Sequence, residues 1–379
     1  MSQKKNMGQY FTTDKTLQKK VYEFIKNNPD EILEPSVGRG DLVKYINSQD
    51  ETIKFDCYEI DETIKPIISN NIIFADFLQV KIDKKYKSII GNPPYVKTVS
   101  GNLYIDFIDK CIDLLENKGE LILIVPSDFF KLTSALPTLR KMLEKGRITD
   151  IYHPNNENLF KNACIDVLIF RYERTMKKFR LRKVNYNGSQ LYLIESDGLI
   201  TFSKTIKTNY KKLDSLFDIY VGIVNGREKI YKNNQLGNIS VLNKENLREK
   251  YIFLDKKPDE NSKIGKYMLK HKDELINRKI KKFNEKNWFE WGALRNFETI
   301  KKRMTVDCLY VKNLTRDKKV CFKGNVEYFG GGLIILIPKF ENLDLNIIMG
   351  EINKESYQFL YSGRYKIGHR QLSKLLIKH

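Results

Sequence analysis

Ile32-Leu33-Glu34-Pro35-Ser36-Val37-Gly38-Arg39-Gly40-Asp41 is the stretch from which the fold is read. Two apolar residues begin a short strand, Pro35 to Gly40 form a glycine-rich turn, and Asp41 is placed to cap a helix over Leu42 to Ser48. Outward from this unit the spacing predicts further strands at Ile53–Glu59, Ile72–Ala75, Ser88–Gly91, Leu121–Val125, Ile148–His153 and Ile165–Tyr172. Helices fit between them, clearest over Tyr104–Glu116, where Ile105, Ile108, Ile112 and Leu115 recur at helical spacing and Gly119 punctuates the end. Such alternation predicts an α/β fold, a Rossmann-like doubly wound and mostly parallel sheet.

Beyond about Arg174 the alternation gives way to basic, Asn-rich segments, and a new unit begins near Leu213. The boundary falls at 205–215, so the expected domains are 1–210 and 211–379. The second mixes β-type runs (Ile219–Val224, Gly332–Ile337) with charged helical patterns such as Lys270–Lys286, and is expected to be α+β. A chain of 379 residues accommodates two such cores.

Sixty-seven Lys and Arg against 47 Asp and Glu give a net charge of +20, a field that favours a polyanionic partner, nucleic acid before an acidic membrane. Residues 1–215 hold 34 basic and 28 acidic side chains and residues 216–379 hold 33 and 19, which places most of the excess in the back of the chain. Five cysteines, never paired as C-x-x-C, argue against both a disulfide framework and a zinc site, so no metal is expected. The start, MSQKKNMGQYF, has no apolar core of a signal peptide, and no apolar run approaches a membrane span. A soluble cytoplasmic protein is expected.

The glycine-rich turn is not G-x-G-x-x-G, and Glu34 at its mouth would repel a pyrophosphate. A cationic sulfonium cofactor with an amino-acid tail tolerates that carboxylate. Taken alone, the turn suits an ordinary strand-to-helix connection equally well. Nineteen residues past Gly40 stands Glu59, where a carboxylate accepts hydrogen bonds from ribose hydroxyls. One strand on, Asp76 is placed to take an adenine amine, with Phe77 against the base. Each acid by itself is a common solvated strand end, but three at successive strand ends outline a crevice for a nucleoside.

Gly91-Asn92-Pro93-Pro94-Tyr95 follows a fourth strand, and two successive prolines hold Asn92 rigidly. An exocyclic adenine amine is a poor nucleophile because its lone pair is delocalised into the ring. If the Asn92 side-chain oxygen and the Pro93 carbonyl accept its two hydrogens, the nitrogen is drawn towards tetrahedral geometry without a strong base. Tyr95 would then stack on the target base, which must be flipped out of a duplex to reach the loop. Phe160, in Asn158-Leu159-Phe160-Lys161-Asn162-Ala163-Cys164-Ile165-Asp166-Val167, is the expected second ring, with Phe129 and Phe130 as rivals.

These motifs, in this order, resemble the γ-class N6-adenine DNA methyltransferases of the TaqI type, found in type II restriction-modification systems. The resemblance runs through Gly8-Gln9-Tyr10-Phe11-Thr12-Thr13, the Glu34 turn, Tyr58-Glu59-Ile60, Ala75-Asp76-Phe77-Leu78, Asn92-Pro93-Pro94-Tyr95 and the Phe160 segment. In the back, Val221-Gly222-Ile223-Val224-Asn225-Gly226-Arg227-Glu228-Lys229 looks like the opening of that family's target-recognition domain, and Gly363–Arg370 like its closing segment. The resemblance implies the S-adenosyl-L-methionine-dependent methyltransferase fold with that cofactor. It implies Tyr10 and Thr12 over the methionine moiety, Glu34 and Gly38 by the amino-acid tail, Glu59 and Ile60 at the ribose, and Asp76 and Phe77 at the adenine. Asn92, Pro93 and Tyr95 would be catalytic, Asn92 and Pro94 would also line the cofactor site, and Phe160 would close the base pocket.

The implied activity is transfer of a methyl group to N6 of an adenine in a short duplex site such as TCGA. A monomer is expected, with a cognate restriction endonuclease acting on the same sequence. Arg227, Lys279, Lys281, Lys282 and Arg316 are the expected DNA contacts; around them Arg278, Lys286, Trp288 and Trp291 suit either a phosphate-binding face or a solvated helix over two core rings. The Asn92 loop also serves amino groups outside DNA, so an RNA adenine-N6 or a protein-glutamine N5 methyltransferase remains the alternative. The basic back half argues against the glutamine enzyme, whose substrate has no phosphate backbone.

Overall fold

The computed structural model describes residues 9–98, 101–161, 163–178 and 181–378. Gly8 and Asn162, quoted above within motifs, lie outside them, as does the MSQKKNM start. The chain divides into two compact units, Met1–Lys207 with Tyr361–Gly363, and Thr208–Leu360 with Arg364–His379.

In the first unit, Asp14 accepts from the Thr16 and Leu17 amides (2.9 and 3.0 Å) and so starts helix α1, Lys15–Phe24, which buries Leu17, Val21 and Phe24. Strand β1 (Glu31–Glu34) leads through the glycine turn into α2 (Asp41–Asn47). The helix starts one residue earlier than expected. Gly40, at φ +91°, occupies the cap position, while Asp41 is helical and pairs with Arg39 at 2.9 Å rather than capping. Strands β2 (Lys54–Glu59), β3 (Ile72–Phe74) and β4 (Tyr86–Gly91) follow, then α3 (Leu103–Leu114). Gly119 does not end this helix. It lies within strand β5, Leu115–Pro126, where a side chain would come 2.9 Å from the Tyr86 carbonyl. A short 3-10 turn (Phe129–Lys131), α4 (Leu136–Lys145), β6 (Gly146–Tyr152) and β7 (Val167–Arg174) complete the expected set.

The region after Arg174 is more regular than expected: β8 (Lys183–Tyr186), β9 (Ser189–Ser196) and β10 (Leu199–Ser203) add a meander to the same sheet. The ten strands run in the order β10-β9-β8-β6-β7-β5-β4-β1-β2-β3. Strands β1 to β5 pair in parallel, and β7 enters antiparallel between β5 and β6. The order reverses between β1 and β4, which puts the ends of both strands at a topological switch point, where open α/β sheets bind ligands. Adjacent strand residues face opposite layers. Ile89, Leu121, Leu123 and Val125 join one apolar core, and Ile90, Ile122 and Ile124 join the other.

The second unit is built on a four-stranded antiparallel sheet in the order Phe217–Val221, Leu333–Pro338, Asp307–Lys312, Cys321–Asn325, with the helix Leu345–Glu355 contributing Ile348 and Ile352 to its core. The helix expected over Lys270–Lys286 is only Lys272–Ile276, and residues 277–296 form turns and loop. Propensity favoured a helix there, but Arg278 is drawn inward to backbone carbonyls, and the chain turns around it. No helix among the described residues is long and apolar enough to cross a membrane.

Candidate active site

Four strand ends converge at the switch point. Their carboxyl-terminal turns, together with residues 9–12, enclose a cavity of about 1150 Å³ counted out to its open mouth. Its lining includes Tyr10, Thr12, Glu34, Gly38, Glu59, Ile60, Asp76, Phe77, Asn92 and Pro94, so all ten expected cofactor residues meet there. Pro93, Tyr95 and Phe160 are outside that lining.

Glu34 is 2% exposed at the end of β1. Its Oε1 accepts from the Ser36 amide at 3.0 Å, and a side chain on Gly91 would come within 2.8 Å of the same oxygen. Gly91 is therefore glycine so that the carboxyl can lie against the next strand. Burial pushes the Glu34 pKa up to about 8; the Ser36 amide opposes this and the neighbouring Glu59 carboxylate adds to it. Glu59, also buried, accepts from Gly38 N at 2.8 Å and from Ile60 N and Asp61 N, both at 2.9 Å. Three amides fix the carboxylate, two on Oε1 and one on Oε2, which leaves Oε2 a further lone pair. Gly38, at φ +56°, turns the loop beneath the Phe11 ring, over which the Arg39 guanidinium sits at 4.8 Å.

Asp76 Oδ1 accepts from the Leu78 amide at 3.0 Å. Phe77 is 2% exposed and stacks on Phe107 (5.4 Å between centroids, 24°). The Lys110 ammonium lies over the Phe77 ring at 4.7 Å and donates to the Phe77 and Val80 carbonyls, which holds the turn closed. Phe107 itself lines the cavity and was missed in the sequence. It falls between the core positions Ile105 and Ile108, and helical periodicity assigned it no task.

Asn92 is fixed at both ends of its amide. Nδ2 donates to the Tyr10 carbonyl (2.8 Å) and Thr12 Oγ1 (3.0 Å), and Oδ1 accepts from the Tyr95 hydroxyl, which also reaches the Ile124 carbonyl at 3.1 Å. Burial of that hydroxyl raises the Tyr95 pKa well above the usual phenol value, so it stays protonated and remains a donor. The rings of Tyr10, Tyr95 and Phe160 form a triangle with centroid separations of 5.6, 5.9 and 6.4 Å. Phe160 thus does approach Tyr95, but Tyr10 packs against both and no gap as wide as a base is left among them. Phe129 and Phe130, the rival wall residues, are buried core packed on Phe170.

In the second unit the expected nucleic-acid contacts sort unevenly. Arg278 is 4% exposed, donates to the Leu275, Asn225, Trp288 and Glu290 carbonyls at 2.7 to 2.9 Å, and lies 3.7 Å from the Phe283 ring centroid. It is a scaffold residue, and Trp288 and Trp291 are buried core beside it. Lys279, Lys281, Lys282 and Arg316 are exposed, Lys281 being paired with Glu290 at 2.9 Å. Arg227 is paired with Glu274 at 3.1 Å.

Fold and cavity together define an S-adenosyl-L-methionine-dependent methyltransferase domain. A sheet with β7 inserted antiparallel, a glycine turn without a phosphate cradle, and carboxyls at three strand ends fit a cationic, amino-acid-tailed nucleoside. Residues 9–160 match the family model of the Eco57I restriction-modification methylase. The chain is 25% identical over 299 residues to the type II methyltransferase M.HindII of Haemophilus influenzae, covering 62% of this chain and 57% of that protein. It is 30% identical over 195 residues to M.HincII of the same species, covering 45% and 38% respectively. The structure of the type IIL restriction-modification enzyme MmeI in complex with DNA aligns with 97% of this chain and 68% of its own at a TM-score of 0.61 and 12% identity, a likeness of fold. Of the resemblance read from the sequence, to γ-class N6-adenine DNA methyltransferases of the TaqI type, these matches support the likeness to restriction-modification methyltransferases. The chain spans about half the length of the two curated relatives.

Proposed function

We propose that this chain methylates N6 of a flipped adenine in duplex DNA, the modification half of a restriction-modification pair. One observation carries the reading: Asn92 stands at the boundary between the cofactor cavity and the aromatic cluster of Tyr10, Tyr95 and Phe160, its amide already oriented from both ends. The Asn92 oxygen and the Pro93 carbonyl hold the two amine hydrogens and orient the nitrogen towards the cavity. When bound, S-adenosyl-L-methionine supplies an electrophilic methyl group. Glu34 faces the amino-acid tail, Glu59 and Ile60 the ribose, and Asp76 with Phe77 the adenine. Tyr95 and Phe160 take the base between them after Tyr10 swings aside. The second unit, residues 208–360 and 364–379, is read as the target-recognition domain, its exposed Lys279, Lys282 and Arg316 meeting phosphates and the paired Lys281 and Arg227 exchanging carboxylates for them.

Incubation with mixed-sequence DNA and labelled cofactor, followed by mapping of the modified base, tests this directly. N6-methyladenine at one recurring sequence is the expected product. Transfer to cytosine, to RNA alone or to protein would overturn it.

A further inference from the structure

A fourteen-residue excursion, 153–166, leaves the sheet after β6, carries Phe160 to Tyr95, and returns at β7. Loops of this length inside a domain are uncommon without a task, and its neck is closed by two ionisable side chains that the proposed chemistry does not use. His153 Nε2 lies 2.7 Å from Asp166 Oδ2, the two residues being 5% and 1% exposed. The other ring nitrogen, Nδ1, lies 3.0 Å from the Tyr186 hydroxyl on β8. A carboxylate only accepts, so Nε2 carries the proton towards Asp166. Tyr186 keeps its phenolic proton because burial pushes its pKa up, and it donates to Nδ1.

Both ring nitrogens are thereby committed, and neither residue lines the cavity. The pair has the composition of a general-base dyad without access to a reacting atom. The remaining connections run through the backbone of the neck. Asn187 Oδ1 accepts from His153 N (2.7 Å) and its Nδ2 donates to the His153 carbonyl (2.8 Å). Ser127 N donates to the Asp166 carbonyl (2.9 Å), and Ile165 N reaches across to Glu157 O (2.9 Å).

Resting on the function proposed above, we infer that His153 and Asp166 are positioning residues for the target base: their bond closes the neck and sets where Phe160 stands opposite Tyr95. The histidine is tied to two strands, and the aspartate is the last residue before a third, so the neck moves with the sheet. Phe160 is presented from a fixed base and not from a free loop.

The test uses the full chain and a duplex carrying the mapped site with 2-aminopurine in place of the methylated adenine, whose fluorescence rises when the base leaves the stack. His153→Ala is expected to lose most of that rise and to lower kcat/KM about tenfold to a hundredfold, with affinity for S-adenosyl-L-methionine unchanged by calorimetry. His153→Gln, whose amide can still donate to Asp166, is expected to recover most of both. A wild-type-like signal in His153→Ala overturns the clamp, and so does parallel loss of cofactor affinity in both variants, which would assign the pair to the fold at large. If the wild-type protein itself neither flips nor methylates DNA, the underlying function falls, and that outcome is distinct from failure of the clamp.

Discussion

Lowering the pH from 7 to 6 should weaken cofactor binding about tenfold, because in the proposed placement the Glu34 carboxyl meets the cofactor's amino-acid tail and must lose a proton first. Glu34 is nearly fully buried, and its pKa stands at about 8. At pH 6 roughly one molecule in a hundred is ionised, and at pH 7 about one in ten. A cationic tail binds the ionised form, so apparent affinity follows that fraction; nearer pH 8 the cofactor's own α-amino group also begins to titrate. Calorimetry with S-adenosylhomocysteine, which keeps the same tail, should show about one proton released per molecule bound at pH 6, read from the buffer dependence of the enthalpy. Glu34→Gln should flatten the profile and bind about ten- to a hundredfold more weakly at pH 8, the worth of a charge-assisted hydrogen bond. Flat affinity between pH 6 and 7 with no proton release would refute the reasoning.

The same shift has a consequence for the empty protein. In the unfolded chain the Glu34 carboxyl ionises near its ordinary value of 4.5, whereas in the folded protein it holds its proton to about 8. Its contribution to stability is therefore present below pH 4.5 and lost as pH rises to 8, by at most roughly 5 kcal/mol. Saturating cofactor should shrink that loss, because it favours the ionised carboxylate in the folded state.

Asn92→Ala should lower kcat by about a hundred- to a thousandfold, the usual cost of removing one oriented electrostatic partner, measured by single-turnover methyl transfer. Gly91→Ala should abolish cofactor binding and cost about 1–3 kcal/mol in denaturant melts, since its methyl group would press on Glu34 Oε1 at 2.8 Å. Arg278→Met should lower the melting point of the second unit sharply, because it strands four carbonyls, two of them in buried hydrogen bonds worth about 1–3 kcal/mol each. In titrations of DNA binding against salt, Lys279→Ala and Lys282→Ala should each reduce the log–log slope by about one, while Arg227→Ala, already paired with Glu274, should change it less.

The lining of the cavity was legible in the sequence because its motifs are local. The Glu34 turn and the Asn92 loop each occupy fewer than ten consecutive residues, and their residue types are dictated by what a turn can present. The strand order was not legible in that way. Insertion of β7 between β5 and β6 depends on pairing across the sheet, and the β8–β10 meander was hidden by polar and basic residues on its exposed face. Charge misled in the second unit for a related reason. Arg278 sits in a run with Lys279, Lys281 and Lys282, and composition treats the four alike, yet only a guanidinium can satisfy four carbonyls at once. One arginine turned inward ends the helix that the pattern predicted and leaves its lysine neighbours on a pinned loop.

That division also says where specificity and rate should separate. Asn92, proposed to orient the amine, is held by few partners: Tyr95 three residues on, and Tyr10 and Thr12 from the segment before α1. Phe160 depends on a neck fastened to three strands, and the lysine loop depends on Arg278. A change in the first group alters the chemical step at a pocket that still forms. A change in the second displaces a whole segment with its chemistry intact. Substitutions at Lys279 or Lys282 should accordingly show in DNA binding, with methyl transfer recovering as substrate is raised, whereas no concentration of DNA should rescue Asn92→Ala, or His153→Ala, whose lost step follows binding.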